Sequence, residues 1–283
     1  MEITFVVCKT PSAKAADVLA KVLGPSKVIA CDVLDGKLES CGSVAILCSF
    51  AHGQIESEVL ECISRCSEPL KAKKVALIGE TGAAKDAVQK LAEQLGTCVV
   101  WAGCIDMDTG SQIRTDETAS QFTAIKRKLK DFTDMPRDLL WQEIEQFLKA
   151  HNTCALCTGQ GNSLRVTPIE YLYISDAIYF LSEGGEKFAH LFANPYASMA
   201  VYDSYTGFTS LGGLQIEGSI QMISFLSEEY KQAVTKKGLN AQKMQKLPVI
   251  LHMFKLVPKR FDLLESSLTK KGYQAKQTLE ISE

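Results

Sequence analysis

The first hundred residues repeat one unit, a short run that is apolar throughout followed by a stretch with apolar residues at helical spacing. The runs lie at residues 2–8, 27–33, 43–50, 74–79 and 97–102, and helical periodicity fills 15–23, 56–66 and 83–95. A strand with one wetted face alternates apolar and polar residues, so a strand apolar on both faces must be covered on both. Five such strands separated by helices predict a parallel sheet with helices on either side, in which ligands bind beyond the carboxyl ends of the strands.

That pattern stops at Asp106. Asp108-Thr109-Gly110-Ser111 reads as a turn, and 118–132 as a polar helix with Phe122, Ile125 and Leu129 on its apolar side. Lys126-Arg127-Lys128 then forms a solvated face, and Asp134-Met135-Pro136 breaks the helix. A chain of 283 residues is long for one core, so the break is read as a boundary between domains at 1–130 and 131–283. The second half opens with a helix at 138–149 carrying Leu140, Ile144, Phe147 and Leu148. Several strands follow, then a helix near 227–237 and a final strand with Pro248, Ile250, His252 and Phe254 on one face. Residues 270–283 are polar with few anchors and read as a tail or a subunit-crossing arm.

Residues 162–220 carry the chemistry. In the strand 163–169, Leu164, Val166 and Pro168 fall on one side and Arg165, Thr167 and Ile169 on the other, the pattern of a half-buried strand. A turn at Ser175-Asp176 leads into a second strand, 177–182. Glu183-Gly184-Gly185-Glu186-Lys187 follows, then a short helix with Phe188, Leu191 and Phe192, stopped at Asn194-Pro195. Strand, glycine turn, lysine and helix start make a phosphate site: unpaired N–H groups carry partial positive charge, glycine admits an anion, and lysine adds a full charge.

Elsewhere the chain offers little chemistry. The net charge of −2 gives no electrostatic case for a nucleic-acid or membrane surface. No apolar run spans a bilayer and no signal peptide precedes the first strand, so a cytoplasmic protein is expected. Several of the ten cysteines sit inside apolar strands and read as small hydrophobes. Cys154 and Cys157 have redox spacing, but on a strand residues three apart face opposite ways. Cys62 and Cys66 are one helical turn apart and read as packing. Four histidines, His52, His151, His190 and His252, show no ligand spacing, and no metal site is expected. Gly79-Glu80-Thr81-Gly82-Ala83-Ala84-Lys85 lacks the spacing of a nucleotide loop and reads as a strand–turn–helix joint. With no nucleophile–base pair in view, a bound cofactor is the economical source of reactivity.

The order Arg-x-Thr-Pro strand, Ser-Glu-Gly-Gly-x-Lys turn, Asn-Pro stop, Ala-Val-Tyr-Asp strand and Leu-Gln-x-x-Gly strand resembles the FMN-binding split-barrel family that includes pyridoxamine 5′-phosphate oxidase. The resemblance runs over residues 136–279 and implies an antiparallel split β-barrel with flanking helices. It implies that Arg165, Val166 and Thr167 lie along the flavin, with Arg165 near the phosphate. Phe180, Leu181 and Ser182 match the second binding strand, Gly185 and Lys187 the phosphate positions, and Gln215 a polar contact on a later strand. The family often has arginine where Glu186 stands; a carboxylate beside phosphate is unfavourable, so Glu186 is expected to point to solvent. The substrate-recognition pattern of the oxidase itself is not evident in 270–283, so pyridoxamine phosphate is not the expected substrate. The resemblance also implies a homodimer with FMN at the interface. The aromatic loop 202–208 would lie next to the site, covering the flavin or filling the seam.

The first half resembles flavodoxins, most closely at 46–55 and 70–77. It departs at the first loop, Lys9-Thr10-Pro11-Ser12-Ala13-Lys14, which has no glycine for a close backbone cradle, while its hydroxyls and two lysines leave phosphate binding open. Together these readings imply an FMN-dependent oxidoreductase exchanging electrons with a small-molecule acceptor or donor. Alternatives are a non-enzymatic flavin- or haem-binding protein for storage or sensing, with His252 as a candidate axial ligand, and a ligand-free interaction module.

Overall fold

The computed structural model describes residues 3–9, 14–79, 85–105, 116–130 and 133–281. The first loop at 10–13, the turn at 80–84 and the stretch 106–115 lie outside the described residues. The chain forms two compact units, 1–131 and 132–283.

In the N-terminal unit the elements run β1 (Thr4–Cys8), α1 (Lys14–Leu23), β2 (Ser26–Ala30), β3 (Ser43–Cys48), β4 (Phe50–Ala51), β5 (Gln54–Ile55), α2 (Ser57–Arg65), α3 (Ser67–Lys71), β6 (Lys74–Gly79), α4 (Lys85–Leu95), β7 (Val99–Cys104) and α5 (Asp116–Lys130). Five strands form a parallel sheet in the order β2-β1-β3-β6-β7, the flavodoxin-like order. Alternate residues feed opposite cores. Val6, Cys8, Ala45, Leu47, Ala76 and Ile78 pack with α1 and α5, whereas Phe5, Val7, Val44, Ile46, Val75 and Leu77 face α2, α3 and α4. The unbroken apolar runs are therefore explained by a sheet covered on both sides. Phe122, Ile125 and Leu129 form the buried face of α5.

Two runs stop short of their sequence reading. Residues 31–33 leave the strand for a 3-10 turn, because Cys31 and Leu34 are both buried while Asp32 and Val33 face solvent, a spacing of three. After Cys48 the chain turns back as the small β4–β5 hairpin, with His52 and Gly53 at positive φ of 53° and 78°.

The C-terminal unit opens with α6 (Arg137–Ala150), whose Leu140, Ile144, Phe147 and Leu148 are buried. Then come β8 (Thr153–Gln160), β9 (Ser163–Glu170), β10 (Leu172–Ile174), β11 (Ala177–Ser182), α7 (Glu186–Ala193), β12 (Tyr196–Tyr202), β13 (Gly212–Ile223), α8 (Glu228–Lys236), α9 (Ala241–Met244), β14 (His252–Glu265) and β15 (Lys276–Glu280). The strands make one antiparallel sheet, β10-β11-β14-β13-β12-β8-β9, with β15 also on β14. It curls into an open half-barrel around a core that includes Phe180, Leu156, Met199, Ile216, Phe254 and Phe261. Ser175 and Asp176, at φ 46° and 64°, make the tight turn between β10 and β11. A bulge in the β13–β14 pairing sits where Gly218 meets Pro258. A Cβ on Gly218 would lie 2.2 Å from the Val257 carbonyl oxygen, so only glycine lets the strands close there.

Two expectations for this unit are corrected. Residues 270–283 include β15, an integral strand whose Gln277, Thr278 and Leu279 are buried. The Gln277 side-chain oxygen accepts hydrogen bonds from the Asp134 and Met135 N–H groups, so the first and last residues of the unit are tied together. Pro248 and Ile250 precede the final strand, which begins at His252, and that histidine is exposed while Phe254 is buried. On β9 the exposed side is the apolar one: Leu164 and Val166 face solvent, and Thr167 and Ile169 are half-buried.

Candidate functional site

The curl of the sheet brings β9, its last strand, against the start of α7. Arg165 on β9 forms an ion pair with Glu186 at the first position of α7, so Glu186 is not simply solvent-directed. Both side chains are substantially exposed, and the pair is correspondingly screened. The next inward-facing residue of β9 is Thr167. Its hydroxyl is buried and has no hydrogen-bond partner among the described residues. Burying an unsatisfied hydroxyl costs roughly 1–3 kcal/mol, so a partner from a ligand is favoured there.

The glycine turn is built for close approach. Gly184 and Gly185 have φ of 133° and 107°, regions that side chains disfavour. Gly185 precedes the first turn of α7, and Ser182 braces the turn through its hydroxyl, which accepts from the Gly184 N–H at 3.3 Å. Glu186 and Lys187 are the first two helical residues, whose N–H groups have no acceptor within the helix.

Lys187 is the unusual group. It is only 7% exposed. Its Nζ donates to the Gly184 carbonyl at 2.5 Å and lies 5.5 Å from the Phe188 ring centre. No carboxylate pairs with it among the described residues. Burial pushes its pKa down, and the nearby Arg165 charge adds to that. A buried ammonium short of negative charge, at a glycine turn and a helix start, has electrostatics that favour an anion.

The expected residues therefore divide. Arg165, Thr167, Ser182, Gly185 and Lys187 lie on the facing ends of β9 and α7 or on the turn between β11 and α7. Val166 points the other way, outward. The Phe180 ring is buried and stacks on Phe254 at 4.9 Å, so only its backbone remains for a ligand. Leu181 packs beneath α8 with Tyr230 and Val234. Within one chain Gln215 lies apart: it is exposed on β13, three strands from β9, about 14 Å at the usual strand spacing. The loop 202–208 is likewise displaced within the chain. Asp203 holds it to His151 Nε2 at 2.9 Å, beside the start of β8, whereas Arg165 pairs with Thr158 near the end of that strand. Five residues of strand separate those ends, about 17 Å.

Two residues enter that the sequence did not single out for this place. His190 on α7 bridges Ser163 at 2.9 Å and Thr158 at 3.2 Å, clamping the β8–β9 hairpin to the helix. His252 stands opposite Ser182 in the β11–β14 pairing, with Phe188 edge-on to its ring at 5.6 Å. The helical and strand periods of α7 and β14 carry both residues, but the pairing of distant strands was needed to bring them here. Cys154 and Cys157 do face opposite sides of β8, and burial pushes the Cys154 thiol up to about 12, the setting of a packed hydrophobe. Among the described residues no cluster suits a metal ion, and no helix is long and apolar enough to cross a membrane.

The architecture is thus a flavodoxin-like parallel sheet joined to an antiparallel split barrel. Residues 140–257, within the C-terminal unit, match the family described as pyridoxamine 5′-phosphate oxidase. No curated protein is a significant match. Similar solved structures include HutZ, a haem storage protein from Vibrio cholerae, 18% identical, with 41% of this chain and 88% of that one covered at a TM-score of 0.36. An FAD-binding protein from Mesorhizobium loti is 17% identical over 42% of this chain and 90% of that one, at 0.36. A putative pyridoxamine 5′-phosphate oxidase from Listeria innocua is 18% identical over 44% and 98%, at 0.35.

Proposed function

We propose that the C-terminal unit binds FMN and works as an oxidoreductase, exchanging electrons with a small-molecule donor or acceptor. The observation that carries this reading is Lys187, a buried cation short of negative charge beside two glycines at positive φ. The residues fit the group: Lys187 and the Gly185 turn would hold the phosphate, Arg165 would add charge at its outer side, and Thr167 would gain a polar partner. Flavin supplies the electron transfer when bound. This chain's residues would hold and orient it.

A homodimer with FMN at the interface is part of the same proposal. Leu164, Val166 and Phe192 are 75%, 62% and 74% exposed on the elements that form the site, an apolar surface suited to a second copy. A cytoplasmic setting, with neither nucleic acid nor membrane as partner, agrees with the weak net charge.

The test is the absorption spectrum of purified protein after FMN and haem are offered in turn. Flavin bands that stay with the protein through gel filtration support the reading. A retained Soret band without flavin would favour haem, with exposed His252 as the first ligand to examine. A colourless protein after both would leave a ligand-free interaction module.

A further inference from the structure

In a sheet ordered β2-β1-β3-β6-β7, the loops leaving β1 and β3 diverge, and flavodoxin-like proteins bind FMN in the crevice at that switch point. The N-terminal unit has the crevice position but different chemistry in it. Lys9 directly follows β1 and Ser49 directly follows β3. Lys9 Nζ is paired with Glu56 and Glu58, each at 3.0 Å. The Ser49 hydroxyl donates to the other Glu56 oxygen, and the Glu56 N–H donates to the Ser49 carbonyl at 3.0 Å.

We infer that Glu56 supplies, from within the chain, the anion at this switch point, so the N-terminal unit holds no flavin and the protein carries one FMN rather than two. The count of one rests on the flavin reading of the C-terminal unit; the exclusion from the N-terminal unit does not.

Four observations support the inference. Lys9 faces two carboxylates, so the Lys9–Glu56–Glu58 group is negative by one charge and repels a phosphate dianion. Ser49 and Lys9 hold the Glu56 carboxyl below the usual carboxylate range, so it stays ionised at neutral pH. The sequence after Lys9 adds no remedy, since residues 10–14 include no glycine and Pro11 has no N–H to offer. The loop after β3 is also committed. It is closed as the β4–β5 hairpin, and a Cβ on Gly79 would lie 3.4 Å from the Phe50 ring, which places that ring over the end of β6. The contrast with the C-terminal unit is direct: there a buried lysine lacks a carboxylate, whereas here one lysine serves two.

Hydrogen–deuterium exchange of the full chain with and without FMN, together with flavin per chain at saturation, tests the inference. The expected result is one FMN per chain, with FMN-dependent protection confined to peptides spanning 163–190. Protection of peptides spanning 3–9 or 48–58, or two flavins per chain, would overturn it. Absence of FMN-dependent protection in both units would uphold the exclusion from the N-terminal unit and instead refute the flavin reading of the C-terminal one.

Discussion

Replacing Lys187 by methionine separates a binding role from a structural one. Methionine keeps the length and apolar stem of the side chain but removes the charge. A charge-assisted hydrogen bond to phosphate is worth about 1.5–3 kcal/mol, so FMN affinity should fall by roughly tenfold to a hundredfold. Fold stability should respond quite differently. Lys187 is buried, its pKa is held down by burial and by Arg165, and its hydrogen-bond partner is the Gly184 carbonyl. Methionine loses that hydrogen bond but also removes the cost of burying an uncompensated charge. The two effects oppose each other, so the melting temperature without ligand should move by less than about 4 °C. Fluorescence titration with FMN and thermal unfolding without ligand provide the readouts. In the wild type, affinity should decline as alkaline pH passes the lowered lysine pKa, below its ordinary 10.5, because the neutral amine no longer balances the phosphate. Lys187→Met should abolish that decline. Unchanged FMN affinity combined with a large loss of stability would refute the reasoning and make Lys187 a structural residue.

Glu186→Gln should tighten FMN by about twofold to tenfold, since it frees Arg165 from a screened surface pair and removes a carboxylate beside the phosphate. Riboflavin, which has no phosphate, should bind the two proteins equally in the same titration. Arg260→Met breaks a buried cluster in which the guanidinium grips both Asp262 oxygens at 2.8 Å and reaches Glu280 at 3.0 Å. Leaving Asp262 buried without its cation should cost about 3–5 kcal/mol, read as a melting temperature lower by more than about 6 °C. Burial alone would raise the Asp262 pKa, but Arg260 and Thr278 bring it below its ordinary value. The wild type should therefore lose this stabilisation only as pH falls through that depressed value, and the variant should lack the corresponding acid limb.

The parallel sheet was legible because both of its faces are buried, so each strand announced itself as an unbroken apolar run. The glycine turn and Lys187 were legible for a local reason, since turn, helix start and charge lie within five consecutive residues. What escaped depends on strands distant in sequence. Nothing near Gln277 tells that its side chain receives the Asp134 and Met135 N–H groups, so a polar terminus looked like a tail. Nothing near Glu186 shows that the curled sheet delivers Arg165 to it. Alternation on β9 separated its two faces correctly but did not say which one is covered, and the apolar side proved to be the exposed one. Gln215 followed from resemblance alone, and within one chain the strand order sets it apart from the turn.

The claim that phosphate seats on Lys187 and the Gly185 turn is tested most directly by the phosphorus-31 resonance of FMN added to the full chain. The account predicts a bound signal, shifted from free FMN, that does not titrate across neutral pH and reverts toward the free signal in Lys187→Met. A phosphate resonance that titrates like free FMN while the flavin ring is bound, or one unchanged by Lys187→Met, would contradict it.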